Sequence, residues 1–363
     1  MRQLPSSPTI HDVAKRAGVS ISTVSRVINR SVPVSDDVLT RVEAAMSELK
    51  YTPRAAARNL ASRKTNSLGL LLAEILGDFF DPLLAGIETV AVENGFDLLI
   101  STAGRGGPHD ELPTSLGHHN TDGLLVFAGV LTHTGIARAH AAGLKLVLIH
   151  QSSPPDLEIP CVTIENKAAS FSVVEHLITV HHRRRIALLR GLEHNEDSHW
   201  REMGYREALA KYNIPFDPAL AVPGDFKRDV AQVSVTHLLE SGIAFDAIFA
   251  GDDDAAVGAL QVLYSTGKRV PEDVSIVGFD DIRLAAVFNP SLTTVHAPTA
   301  EVGRVAAQQL IRLIRTGQAD PLTLLPTEMV IRRSCGCHQH NGFTGASDIV
   351  ASTFSSHQEV IRH

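Results

Sequence analysis

The sequence predicts two structural classes in one chain: an all-α helix-turn-helix head, then an α/β two-lobed core built on doubly wound parallel sheets. Residues 9–29 write two short one-sided helices around a Gly-containing turn. From Ser67 onward, short apolar runs alternate with amphipathic stretches. The 363 residues also exceed what one simple core organises, so a small first domain and a body of two lobes are expected.

In the head, Ile10, Val13, Ala14 and Ala17 fall at i, i+3, i+4 and i+7, with Thr9 as hydroxyl cap and Asp12 as capping-box acid. That helix stops at Gly18. Ser20 then caps a second helix whose inward stripe is Val24, Val27 and Ile28, completing a helix-turn-helix. Its outer surface holds Ile21, Ser22, Ser25, Arg26 and Asn29, with Thr23 on the flank and neither Lys nor Glu. Such a surface suits DNA better than bulk water. Ile21 can meet a thymine methyl and Arg26 can bond guanine bidentately, so Ile21, Ser22 and Arg26 are the expected base readers. Thr9, Ser20, Thr23, Ser25 and Asn29 are the expected phosphate contacts.

Ser35 followed by Asp36 and Asp37 caps a third helix with an apolar stripe of Val38, Val42, Ala45 and Leu49. Pro53 then opens a short Ala-rich helix through Ala61 with almost no apolar face, which is marginal alone.

Charge divides along the same line. The chain carries −7 overall, but residues 1–66 hold 11 of the 33 Lys and Arg and only 5 of the 40 Asp and Glu, a net +6 against −13 for the rest. A basic head on an acidic body keeps phosphate attraction local. The first residues lack the apolar core of a signal peptide and no later run has the length of a membrane span, so a cytoplasmic protein is expected. Cys161, Cys335 and Cys337 are too few for a disulfide framework and read as reduced thiols.

In the body, the apolar runs at 68–73, 96–100, 123–128, 145–149, 161–164, 185–189, 246–250 and 274–279 read as buried parallel strands. Helical patterns at 79–94, 134–142 and 255–266 lie between them, each followed by Gly. Gly104-Arg105-Gly106-Gly107 has neither phosphate-loop nor dinucleotide spacing, and a Gly-x-Ser-x-Gly elbow is absent. The acid clusters Asp252-Asp253-Asp254 and Asp280-Asp281 each follow an apolar strand, which places them where open α/β sheets bind ligands. Without a convergent nucleophile or His, binding is expected rather than catalysis, so no catalytic residue and no cofactor are assigned. Cys335-Gly336-Cys337-His338-Gln339-His340 puts two thiols and two imidazoles within six residues, but the spacing is cramped for zinc and no metal site is assigned. His176 and His182 read as ordinary polar positions at a helix end.

The succession of helix-turn-helix, third helix, Tyr51-Thr52-Pro53, Arg58-Asn59-Leu60 and Lys64-Thr65-Asn66-Ser67-Leu68-Gly69 resembles the lactose-repressor/galactose-repressor (LacI/GalR) family of bacterial transcriptional regulators. The resemblance runs to about Cys337. It implies a head over 1–52, a hinge helix and linker over 53–66, and a periplasmic-binding-protein-like two-lobed core over 67–337. The tail over 338–363, with His338, His340, Gly342, Gly345 and several Ser, lacks a sustained apolar stripe and is expected to be disordered. The resemblance further implies three crossings between lobes, near 164–166, 292–295 and 322–326, and an effector in the interlobe cleft.

Trp200-Arg201, Gly204-Tyr205, Gly224-Asp225-Phe226, Gly251-Asp252 and Gly278-Phe279-Asp280-Asp281 match the family's core motifs. By that match Arg201 clamps effector oxygens, Asp280 accepts hydroxyl hydrogens, Phe226 covers an apolar face, and Asp252 joins them. Phe79 and Phe80 are further effector candidates. Trp200 either stacks on a sugar or anchors its helix. Leu60 matches the wedge that such hinge helices insert into the minor groove.

The expected protein is therefore a DNA-binding repressor rather than an enzyme. It acts as a homodimer on a pseudo-palindromic double-stranded operator under control of a small molecule, with a carbohydrate ahead of a nucleobase. A solute-binding protein on the same scaffold is the alternative from another class.

Overall fold

The computed structural model describes residues 8–29, 32–51, 65–104 and 107–337. The expected hinge helix, with Leu60, and the tail after Cys337 lie outside these residues.

The head consists of α1 (Ile10–Ala17), α2 (Ile21–Asn29) and α3 (Asp36–Glu48). Its core gathers Val13, Ala14, Ala17, Val24, Val27, Val42 and Ala45, the inward stripes of all three helices. Gly18 ends α1 at φ +66°, a left-handed turn that glycine takes without a Cβ penalty. The expected capping box of Thr9 and Asp12 is present: the Asp12 carboxylate accepts the Thr9 N–H at 2.8 Å and the Thr9 hydroxyl at 2.7 Å. These bonds to the charged form hold Asp12 below the usual carboxylate range. One cap differs from expectation: Ser35 stands at the N-cap of α3 without a side-chain capping bond.

The body divides into two compact units. One contains residues 65–76, 84–104, 107–162 and 303–323; the other contains 77–83, 163–302 and 324–337. Apart from the short excursion of 77–83, the chain passes between them at 162–163, 302–303 and 323–324. The middle passage was expected near 292–295. It falls later because β10 (Thr294–His296) pairs antiparallel with β12 (Glu328–Val330), and the Asp280 N–H donates to the Val295 carbonyl at 2.8 Å.

In the first unit, β1 (Ser67–Leu72), β2 (Asp97–Thr102), β3 (Gly123–Phe127), β4 (Leu146–Ile149), β5 (Cys161–Ile164) and β11 (Leu322–Leu325) form a six-stranded sheet in the order β11-β5-β4-β3-β1-β2. The β1, β3 and β4 strands are covered on both faces, as continuous apolar runs require. The β2 strand was expected to be buried as well. It lies at the sheet edge, with Ile100 42% exposed. Helices α4 (Phe80–Glu93) and α5 (His133–Ala141) supply crossovers. Where the chain enters β1, the Asp122 carboxylate accepts the Thr65 N–H and hydroxyl and the Asn66 N–H.

In the second unit, β6 (Ile186–Arg190), β7 (Ala221–Pro223), β8 (Ala247–Ala250) and β9 (Ser275–Val277) lie parallel in the order β7-β6-β8-β9. The strand order reverses between β6 and β8, the switch point where helices leave opposite faces and open a crevice. Helices α6 (Lys167–Thr179), α7 (Glu196–Lys211), α8 (Arg228–Glu240) and α9 (Asp253–Ser265) flank it, and α10 (Thr299–Thr316) follows β10. A Cβ at Gly204 would stand 2.2 Å from the Lys167 carbonyl, so glycine there lets α7 lie directly on α6.

Candidate functional site

Two surfaces concentrate the residues singled out above. On the head, Ser20 closes the first turn of α2 by accepting the Thr23 N–H at 3.1 Å. Its hydroxyl also bonds those of Ser22 at 2.7 Å and Thr23 at 2.8 Å. Three linked hydroxyls therefore sit at the positive end of a helix, a setting that favours an anionic oxygen. Beside them Ile21 is 40% exposed, an apolar side chain that the head core leaves in water. Thr9, Ser22 and Arg26 are exposed; Thr23 and Ser25 are half-buried. The Asn29 side chain and Leu60 lie outside the described residues.

The second surface is built at the carboxyl ends of the four-stranded sheet. Each strand is followed by a contributing turn: Gly191 after β6, Gly224-Asp225-Phe226 after β7, Gly251-Asp252 after β8, and Gly278-Phe279-Asp280 after β9. From α7, Arg201 reaches into this ring and is only 4% exposed. Its Nε donates to Asn166 Oδ1 at 2.9 Å, Nη1 to the Gly251 carbonyl at 2.5 Å, and Nη2 to Asp280 Oδ1 at 3.3 Å. The guanidinium carbon lies 3.7 Å from the Phe279 ring centroid and 5.6 Å from that of Phe226. A buried cation is thus paired, hydrogen-bonded and sandwiched by aromatic faces, with part of its donor fork left over.

The acids on this ring have separate tasks. Asp252 caps α9 by accepting the Ala255 N–H at 3.0 Å. Burial, followed by the neighbouring Asp280 charge, pushes its pKa up to about 7. Asp253 accepts the Thr294 hydroxyl at 2.6 Å and the Ile282 N–H at 2.9 Å, and burial again raises it well above the carboxylate range. A Cβ at Gly278 would fall 2.1 Å from Asp253 Oδ1, so glycine is what admits that carboxylate. Asp254 turns outward to Arg228 at 2.6 Å. Asp281 pairs with Arg332 at 2.7 Å.

Backbone strain gathers here too. Asp225, Phe226, Asp280 and Asp281 have φ of +51°, +56°, +103° and +59°. Non-glycine residues hold such angles only where surrounding structure enforces them. The turn at 225–226 lays the Phe226 ring over Gly191, where a Cβ would come within 2.1 Å of it.

Of the residues singled out in the sequence, Arg201, Phe226, Asp252 and Asp280 come together around this ring. Trp200, half-buried, donates to Glu196 at 3.2 Å on its own helix and meets the His199 ring edge-on. Phe79 and Phe80 pack in a T-shape 5.3 Å apart. In the same segment, Asp78 and Asp81 lie 3.6 Å from the exposed Arg283 guanidinium. Sequence reasoning missed Asn166, Phe279 and Asp197. Asn166 is buried between Arg201 and Asp197, donating to the latter at 2.8 Å. Its only local signal was a polar residue ending a strand-to-helix turn. Phe279 precedes Asp280 within the Gly278-Phe279-Asp280-Asp281 motif, where an aromatic residue after an apolar strand reads as core.

Comparison with known proteins fits this arrangement. Residues 9–54 match the family "Bacterial regulatory proteins, lacI family" and residues 174–335 match "Periplasmic binding protein-like domain". The chain is 33% identical to the HTH-type transcriptional regulator CelR of Thermobifida fusca, covering 90% of this chain and 98% of that protein. It is 31% identical to catabolite control protein A of Priestia megaterium, with the same coverages. Among solved structures, a Lac repressor dimer bound to operator and the anti-inducer ONPF superposes with a TM-score of 0.76 at 25% identity, covering 91% of this chain and 99% of that one. A CelR–cellobiose complex matches with a TM-score of 0.65 at 30% identity over 90% and 99%. These relatives are regulators of transcription and not enzymes. The chain belongs to the LacI family of bacterial transcriptional regulators.

Proposed function

We propose that this regulator is a cytoplasmic repressor that binds a pseudo-palindromic operator as a homodimer and is controlled by a carbohydrate held at the carboxyl ends of β6–β9. The observation that carries the effector assignment is the Arg201 cluster. A fixed donor, carboxylate acceptors and the Phe226 ring converge at a strand-order switch point, and a polyol with an apolar ring face needs that combination. The relatives support this class: one solved complex contains cellobiose, and another regulator of this family contains ribose. On the head, Ile21, Ser22 and Arg26 are assigned to base edges; Thr9, Ser20, Thr23, Ser25 and Asn29 are assigned to phosphates, and Leu60 to the minor groove. One head covers few base pairs, so two heads about one helical turn apart supply the specificity.

The test is a thermal-shift screen of the full chain with mono- and disaccharides, sugar phosphates and purines, followed by operator binding at graded salt. A sugar that raises the melting temperature and changes operator affinity supports the proposal. A response confined to purines overturns the carbohydrate assignment.

A further inference from the structure

Away from the strand ends, four side chains from two distant segments of the second unit converge: His176 near the end of α6 and His181 in the following loop, and Cys335 and Cys337 in the closing segment. Their ligand atoms all lie within 4.8 Å of one another. His176 Nε2 and His181 Nε2 are 3.2 Å apart, and Cys337 Sγ stands 3.5 Å from the first and 3.3 Å from the second. A tetrahedral zinc site, with Zn–N about 2.0–2.1 Å and Zn–S about 2.3 Å, sets its ligand atoms about 3.3–3.8 Å apart. The observed triangle is already close to those edges. We propose that His176, His181, Cys335 and Cys337 form a structural zinc site that fastens the end of the core to α6.

Two further features fit a metal. Cys335 is fully buried, and its sulfur accepts the Thr293 hydroxyl at 3.1 Å, the kind of outer-shell bond that steadies a thiolate ligand. Gly336 holds φ +114°, and a Cβ there would lie 3.0 Å from His181 Nδ1. Glycine between the cysteines therefore lets the His181 ring lie against the turn while both thiols aim at one point. A two-sulfur, two-nitrogen tetrahedral set selects zinc among common divalent ions.

The site joins elements that the sequence keeps some 160 residues apart, which is why the sequence paired the cysteines with the adjacent His338 and His340. The closing segment is also held by hydrogen bonds: Ser334 Oγ donates to the Ile276 carbonyl at 2.7 Å, Ser275 Oγ to the Cys335 carbonyl at 2.8 Å, and the Arg333 and Ser334 N–H groups to the Ser291 carbonyl at 3.0 and 2.9 Å. Filling the site adds a crosslink between that segment and the end of α6.

The experiment uses the full chain, purified through a tag without histidines and without chelator. The expected result is one zinc per chain by elemental analysis. After chelation, one equivalent of cobalt should bind with the intense visible bands of tetrahedral Co(II) and thiolate-to-metal charge transfer. Zinc in excess of its dissociation constant should raise the melting temperature by about 5–10 °C. His181→Ala and Cys337→Ser, both at half-buried positions, should fold by circular dichroism yet lose the cobalt spectrum and the zinc-dependent shift. Absence of bound zinc and of a cobalt spectrum overturns the proposal. So does unchanged stoichiometry in the doubly substituted chain, which would place the metal on other histidines. A Cys335–Cys337 disulfide, seen as a mass two hydrogens lower and thiols refractory to alkylation, overturns it as well.

Discussion

The head and the strand-end ring present polar residues in opposite ways. On α2 the side chains assigned to base edges, Ile21, Ser22 and Arg26, are exposed on a helix whose stability resides elsewhere, in Val13, Val24 and Val42. Around Arg201 the polar groups are themselves the interior: Asn166, Asp197, Arg201, Asp252, Asp253 and Asp280 are all buried. Recognition and stability are therefore separable in the head and coupled in the body. A substitution on α2 should change what the protein binds without changing whether it folds; one in the ring should change both.

Arg201→Ala breaks the coupled region most severely. It leaves Asp280 buried without its cation and strands the Asn166 and Gly251 acceptors, which should cost about 3–5 kcal/mol in urea unfolding of the body. The same variant should lose any sugar-dependent thermal shift. Full stability combined with lost sugar response would mean that the ring is as separable as the head.

Asp252→Asn probes the same coupling through pH. An acid whose folded pKa is raised holds its proton more tightly in the folded than in the unfolded state. Stability is therefore lost as pH rises from the ordinary carboxylate value of 3.8 through the folded value of about 7. Asparagine keeps an oxygen for the Ala255 N–H but does not titrate. The variant should be more stable than the parent at pH 8, on the order of 4 kcal/mol, and nearly equal to it at pH 4. Asp253, raised in the same sense, keeps part of the slope in both proteins. Parallel stability curves across that window would remove Asp252 as a source of the pH dependence.

The two regions were also unequally legible. The head was readable almost throughout, because its helices are local and their apolar spacing dictates which face turns inward. The long strands were readable for the same reason. The β7, β10 and β12 strands have three residues each, too few for a period to show. Within the ring, the family motifs brought out Arg201, Phe226, Asp252 and Asp280, but not what holds them. Asn166 and Asp253 acquire their tasks only when residues 35 positions before Arg201 and 41 positions before Thr294 are folded against them. His181 is the extreme case, since its cysteine partner Cys337 sits 156 residues away.

Arg26→Ala tests separability from the other side. Its side chain is exposed on α2, so thermal stability should change by less than about 0.5 kcal/mol. Sequence preference should flatten by about 1–3 kcal/mol at one base pair per half-site in a binding-site selection. An unchanged preference removes Arg26 from the readers.

The finest distinction lies between two serines at helix starts. Ser20 and Ser35 both occupy N-caps, and sequence treats them alike. In the structure only Ser20 accepts an amide hydrogen, from Thr23, whereas Ser35 has extended backbone at the same position and no side-chain bond. Ser20→Ala should therefore cost the head about 1 kcal/mol, the usual value of a lost cap, and Ser35→Ala only a few tenths. Guanidine unfolding of both variants, followed by circular dichroism at helix wavelengths, reads the difference directly. Equal losses would show that Ser35 caps α3 in solution, and that the first turns of α2 and α3 are held alike.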